Sequence, residues 1–182
     1  TEPELPLWLQ IGDRLAELTG RNAEYAEALE KIVATVVDEE RALELALKIA
    51  TMARAKLADA GRARTYYRRA LELRADESEA LSALETIYEE SGEHPALLDV
   101  LRRRAATATS DADKKRLLFK EARLLEGTLS DVPAAIDVYQ AIVDLTPEAD
   151  AFAALERLLT QTERWDDLVA IYERQIGLGP AA

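Results

Sequence analysis

Residues 57–88 read LADAGRARTYYRRALELRADESEALSALETIY. Ala63, Tyr67 and Ala70 fall on one helical stripe, at spacings of four and three, and residues so spaced are neighbours on a helix surface. Small, large and small side chains along a stripe let a second helix come close and lock on the ring. Asp76 and Ser78 then mark a turn and a new start, and Leu81, Leu84 and Tyr88 resume the helical period. Two helices and the turn between them therefore lie in this stretch.

Composition extends that reading to the whole chain of 182 residues. Ala (33) and Leu (28) make up a third of it, and both are strong helix formers. Seven Gly and six Pro interrupt it, almost all between periodic segments. Aromatics are 5%, which suits thin helical layers better than one large core. No strand-like period of two runs for a useful length, so an all-α protein is expected.

Taken in order, the pattern predicts ten helices. The first follows Pro6 and carries Trp8, Ile11, Gly12 and Leu15, stopping near Gly20. Asn22 is expected to cap the second, whose inward stripe is Tyr25, Ala28, Leu29, Ile32, Val33 and Val36. Asp38 caps a third helix, about 39–58, that is apolar on more than one face and so belongs between neighbours. The fourth lies near 61–74. The fifth starts at Asp76 or Ser78 and ends at Ser91-Gly92. Pro95 opens the sixth. Ser110 with Asp113 forms a capping box for the seventh. Asp131 and Pro133 begin the eighth, Thr146-Pro147 the ninth, and Thr162 caps the tenth.

Tyr67, Leu101, Tyr139 and Tyr172 occupy the same place in successive helix pairs, 34, 38 and 33 residues apart. A period near 34 with two helices per unit resembles the tetratricopeptide repeat. Trp8, Ile11, Gly12 and Leu15 look like the first half of that family's pattern. Ala63, Tyr67 and Ala70 look like the second half, and Ala135, Tyr139 and Pro147 match it again. The glycine expected in each first helix is Thr51, Glu85, Arg123 and Glu156 in the later units. The resemblance implies one right-handed superhelical solenoid of about five antiparallel pairs, with units near 5–37, 38–76, 77–109, 110–146 and 147–180. In this family the first helices usually line a concave face. By position that face would hold Lys48, Met52, Lys56, Glu79, Thr86, Glu89, Glu90, Lys120, Leu124 and Arg157. Some members grip a chaperone's C-terminal carboxylate with Lys, Asn and Arg. The corresponding places are Lys48, Met52 and Ala83, then Ser82, Thr86 and Glu121, and that set does not suit a carboxylate.

The net charge of −12 opposes non-specific nucleic-acid binding and docking on anionic membranes. No apolar run approaches the roughly 18 residues that span a bilayer. With no cysteine there is neither a disulfide framework nor thiolate chemistry. The compartment stays open, with the cytoplasm favoured. The chain opens on Thr1-Glu2 without Met and reads as a piece of a longer protein. Its 17 Arg against 6 Lys, with abundant Ala, suggest a bacterial source of high GC content.

The single histidine, His94, has no second His or Cys to complete a metal or catalytic site. It reads as a turn residue before Pro95. Most acidic pairs, such as Asp38-Glu39-Glu40 and Asp166-Asp167, sit at helix starts, where they complement the macrodipole. Glu89-Glu90 near a helix end is the exception and a candidate contact for a basic partner. Arg102-Arg103-Arg104 suits a helix C-terminus, whereas Lys114-Lys115-Arg116 in a first turn needs nearby acids or a partner.

The sequence thus points to a protein-interaction module without catalytic residues, metal or cofactor, binding a protein or basic peptide in its groove. A structural spacer or oligomerisation segment is the alternative, and a ligand-sensing domain a third. Val169 and Ile176 are expected to face outward on the last helix, making it a candidate for self-association.

Overall fold

The structure, a computed structural model, describes residues 5–178, and the side chains of residues 7–178. The described residues form ten α-helices and no strand. They are α1 (Leu5–Thr19), α2 (Asn22–Val33), α3 (Glu39–Ala55), α4 (Ala60–Leu73), α5 (Ser78–Ser91), α6 (His94–Thr107), α7 (Asp111–Arg123), α8 (Val132–Leu145), α9 (Ala149–Gln161) and α10 (Trp165–Gly177). A π turn, Leu124–Thr128, extends α7. The chain divides into two compact units, residues 1–87 and 88–182, with the boundary inside α5.

Five left-handed residues punctuate the ten helices: Gly20, Ala58, Gly92, Ser130 and Glu163. Each sits in the turn between an odd helix and the even helix after it, so each marks one helix pair. A left-handed residue reverses the chain at a helix C-terminus and lets later amides reach back to orphan carbonyls. Asp59 N donates to Ala53 O at 2.9 Å, Glu93 N to Tyr88 O at 3.1 Å and Asp131 N to Leu125 O at 2.8 Å. Three of the five turns use a residue with a Cβ, at a cost of about 1 kcal/mol each, so glycine alone does not reveal them.

In unit 1, α1 packs on α2, α2 on α3, and α3 on α4. Leu9, Ala26, Leu29, Leu45, Ile49 and Met52 form a shared core. Helix α3 buries Ala42, Leu43, Leu45, Ala46, Ile49, Ala50, Met52 and Ala53, as expected of a helix apolar on several faces. Tyr67 is 3% exposed between Ala63 and Ala70, both fully buried, and its stripe is therefore the packed one. In unit 2, α6 packs on α7, α7 on α8, α8 on α9, and α9 on α10. Its core runs from Ala122 and Leu125 through Ile136, Tyr139 and Ile142 to Leu155, Leu159 and Ile171.

The caps divide into two groups. Asp38 accepts from Arg41 N at 2.8 Å, and Asp131 from Ala134 N at 3.2 Å. Ser110 Oγ accepts from Asp113 N at 3.1 Å and donates to the Asp113 carboxylate at 2.9 Å, completing the box. Three other caps are corrected. Asn22 is already the first residue of α2, and no side chain caps that helix at Arg21. Thr146 ends α8 in extended backbone, and α9 begins only at Ala149, after Glu148, whose carboxylate is held by Lys115. Thr162 ends α9, where its hydroxyl donates to Leu158 O at 2.8 Å, and Glu163 in the left-handed region intervenes before α10.

The 38-residue interval between Leu101 and Tyr139 also has a cause. Helix α7 has 13 residues and the π turn adds 5, whereas α5 has 14. Leu129 N donates to Leu124 O at 3.0 Å, the wide i→i+5 closure that defines such a turn.

Candidate interaction surface

The odd helices, α1, α3, α5, α7 and α9, carry the surface that the sequence singled out. Along them, polar side chains of one odd helix bond to those of the next. In unit 1, Lys48 of α3 pairs with Asp13 of α1, and Lys56 at the end of α3 pairs with Glu17 of α1 at 2.7 Å. Thr51 of α3 donates to Glu79 of α5 at 2.9 Å. In unit 2, Lys120 of α7 pairs with Glu89 of α5 at 2.9 Å, and Arg157 of α9 with Glu126 of the π turn at 2.7 Å. The Lys56 ammonium, bonded to Glu17, holds that carboxyl below the usual carboxylate range.

Four of the five bonds are ion pairs spanning 31 to 39 residues of sequence, so no helix-local rule could list them. They bring together Lys48, Lys56 and Glu79 in unit 1, and Glu89, Lys120 and Arg157 in unit 2. Glu90 is exposed beside Glu89. Thr86 is half-buried and its hydroxyl donates to Ser82 O at 3.3 Å. Leu124 is half-buried where the π turn begins. Met52 is 7% exposed and belongs to the core, showing only an edge to a groove beside Asp13, Lys48 and Lys56.

A second set of bonds lies within the pairs. In the first pair the ring of Tyr25 rests against Gly12, and its hydroxyl donates to Leu9 O at 3.1 Å. Where glycine is replaced, the tyrosine hydroxyl finds the replacing side chain. Tyr67 lies 3.2 Å from the Thr51 hydroxyl, and Tyr172 donates to Glu156 at 2.7 Å. In the fourth pair Tyr139 reaches past Arg123 to Glu126 at 3.1 Å, because the π turn brings that carboxylate round. Arg123 instead lies 5.8 Å over the ring of Phe119. Two of the residues standing at the family's glycine, Thr51 and Glu156, are thus used as hydrogen-bond partners, which their mismatch to the pattern could have suggested.

In the remaining basic runs, Arg102, Arg103, Lys115 and Arg116 have acidic partners within the chain. Arg102 donates to Glu121 at 2.7 Å, Arg103 lies 3.7 Å from Asp99, and Arg116 lies 3.5 Å from Asp113. His94 begins α6, and its Nδ1 is buried without a hydrogen-bond partner among the described residues. No group of three or more metal-ligating residues occurs among the described residues. No described helix is long and apolar enough to cross a membrane.

Each unit has a groove of its own. In unit 1 a groove of about 450 Å³ is lined by Leu9, Gln10, Asp13, Glu44, Leu47, Lys48, Thr51 and Glu79. Three carboxylates face it, and its one ammonium is held by Asp13. In unit 2 a groove of about 330 Å³ is lined by Arg116, Phe119, Lys120, Arg123 and Asp150. The two grooves are of opposite sign.

A tetratricopeptide-repeat model matches residues 80–115 and 151–181. Those two segments carry tetratricopeptide repeats. The two matched segments are α5–α6 and α9–α10, the third and fifth helix pairs. Solved structures of MamA are similar in fold. MamA from residue 41 onward of Desulfovibrio magneticus RS-1 is 20% identical, covering 97% of this chain and 96% of that one with a TM-score of 0.51. An RS-1 MamA double mutant is 19% identical, covering 97% and 95% with a TM-score of 0.53. AMB-1 MamA is 18% identical, covering 95% and 91% with a TM-score of 0.52. At these identities the likeness is one of fold. No curated protein matches the chain. An all-helical array that includes tetratricopeptide pairs is the architecture of a protein–protein interaction scaffold.

Proposed function

We propose that the chain is a non-catalytic module that binds a peptide or partner domain along its odd helices. The observation that carries this reading is the unit 1 groove, where Asp13, Glu44 and Glu79 outnumber the single Lys48. Apolar Leu9 and Leu47 line the same groove. Such a lining suits an extended segment with an arginine or lysine beside an apolar residue. The unit 2 groove, lined by Arg116, Lys120 and Arg123, suits an acidic side chain. The −12 charge opposes nucleic acid as a partner, because phosphate neutralisation is what drives such binding.

A peptide array scored for charge tests this directly. Peptides with Arg or Lys beside an apolar residue are expected to bind, and the double substitution Glu44→Gln with Glu79→Gln to weaken them about tenfold at low salt. Binding should fall as salt rises, because the Debye length is only about 8 Å at physiological ionic strength. Equal binding of acidic and basic peptides to the isolated groove variant and the wild type would sink the reading. Micromolar RNA binding at physiological salt would sink that reading of the charge.

The oligomerisation reading is favoured by one further observation. Trp165, Val169, Tyr172 and Ile176 of α10 are exposed together. We infer self-association through this helix.

A further inference from the structure

The exposed apolar residues of α10 have a counterpart on α1. There Trp8, Ile11, Leu15 and Leu18 are exposed, at spacings of three, four and three. On α10 the spacings from Trp165 through Val169 and Tyr172 to Ile176 are four, three and four. Each series is the a/d seam by which one helix packs along another. All eight residues are at least 39% exposed, so neither apolar seam is covered within the described residues, although the Tyr172 hydroxyl reaches Glu156.

Charge decides how the seams pair. Beside the α10 seam stand exposed Asp166 and Glu173, and the helix's one arginine, Arg174, is held by Asp144 and Val143 O of α8. Pairing α10 with itself would duplicate this acidic edge with no outward cation to answer it. On α1 the two acids, Asp13 and Glu17, are held by Lys48 and Lys56, which leaves Arg14 as the charge beside its seam. With the helices antiparallel, Ile11 meets Ile176, Leu15 meets Tyr172 and Leu18 meets Val169. Glu173 and Asp166 then face Gly12 and Thr19 instead of a second acidic edge, and Arg14 lies level with Glu173 on the other side of the seam.

We propose that α10 of one copy docks antiparallel on α1 of a second copy, so that chains associate head to tail. This rests on the reading that α10 is the self-associating face, and adds its occupant. The contact is heterologous, since the two surfaces differ, and each added chain presents a fresh α1 and a fresh α10. Such contacts propagate unless a rotation closes them.

Sedimentation equilibrium on the whole chain is the test, run from about 5 to about 300 µM because a single helix contact is well below a standard interface of about 1,600 Å². The wild type is expected to rise past the dimer mass. Leu15→Glu, which blocks α1, and Val169→Glu, which blocks α10, should each be monomeric alone. Mixed in equal amounts they should form a dimer and stop there, since one intact face remains on each. Circular dichroism melts check folding, and Leu18→Glu with Ile176→Glu is the second pair should either first variant unfold. If Leu15→Glu alone dimerises, α10 pairs with itself, and the head-to-tail contact is overturned while α10 remains adhesive. A mixture that stays monomeric also overturns the contact. A wild type monomeric throughout overturns both it and the reading of α10.

Discussion

Gly12 on α1 lies directly under the ring of Tyr25 on α2: a Cβ at Gly12 would stand 2.6 Å from Tyr25 Cε2 and 2.8 Å from its hydroxyl oxygen. The absence of a side chain is what lets the ring close on the first helix and its hydroxyl reach Leu9 O. Gly12→Ala therefore brings two opposed effects. Alanine gains about 1 kcal/mol of helix propensity. Displacing the ring costs its hydrogen bond, about 1 kcal/mol, and packing strain of about 1–3 kcal/mol. A net loss of about 1–3 kcal/mol is expected by thermal melts. In a Tyr25→Ala background the strain is gone, and the same Gly12→Ala change should become stabilising. No reversal of sign would mean that the ring does not set the constraint.

Tyr25 also gives the first pair a dependence on alkali. Burial, with the nearby Asp13 carboxylate, pushes its phenol up to about 12 from its ordinary value of 10. The neutral form is the one the fold accepts. Its contribution is complete below the unfolded value of 10 and is lost as pH rises through 12. Tyr66, Tyr139 and Tyr172 are raised too, so they add to the loss of stability in alkali. The difference between wild type and Tyr25→Phe isolates one group: the phenylalanine variant should lose less stability between pH 10 and 12. Parallel curves would show that Tyr25 ionises freely.

Tyrosines at one repeat position should not be equal. Tyr67 and Tyr139 are 3% and 4% exposed, whereas Tyr172 is 39% exposed. Tyr67→Ala and Tyr139→Ala are expected to cost about 3–5 kcal/mol each, the range for truncating a buried aromatic. Tyr172→Ala should cost much less, chiefly its bond to Glu156. Denaturant midpoints that place all three together would show that the last pair is packed like the others.

Ion pairs of similar length should differ in worth. Glu121 is buried and receives Arg102 at 2.7 Å, while Glu17 and Lys56 are both largely exposed. Removing Arg102 leaves a buried carboxylate without that donor, at a cost of about 1–3 kcal/mol. Removing Lys56 should cost less than about 1 kcal/mol. The double replacement Arg102→Leu with Glu121→Leu is expected to recover most of the loss, because no buried charge remains. An Arg102→Leu variant no more costly alone than with Glu121 also replaced would count against this account.

The helices themselves were legible because their signals are local. The stripe through Ala63, Tyr67 and Ala70, the many-faced α3 and the caps at Asp38, Ser110 and Asp131 all lie within one or two turns of sequence. Asn22, Thr146 and Thr162 carry the same chemistry but were misread, since a cap residue does not announce whether it ends one helix or starts the next. Thr146 and Thr162 do the former. The turns at Ala58, Ser130 and Glu163 hide their left-handed backbone behind ordinary side chains. The π turn left one trace, the interval of 38 where its neighbours are 34 and 33. The bonds joining successive odd helices left none, because Asp13 and Lys48, or Glu89 and Lys120, become neighbours only once whole pairs have stacked.

Those bonds bear on how a charged partner gains a place. Glu89 and Glu126 are each already engaged by a cation from the next odd helix, and Asp13 by Lys48. An arriving arginine at any of them is a competitor that must evict a resident. On the proposed function, recognition there would be an exchange of one ammonium or guanidinium for another, in which the displaced side chain returns to water. Little electrostatic energy is released by such a swap, so selectivity falls to the residues without a rival, Glu44 and the apolar Leu9 and Leu47, and charge serves to sort arrivals more than to hold them.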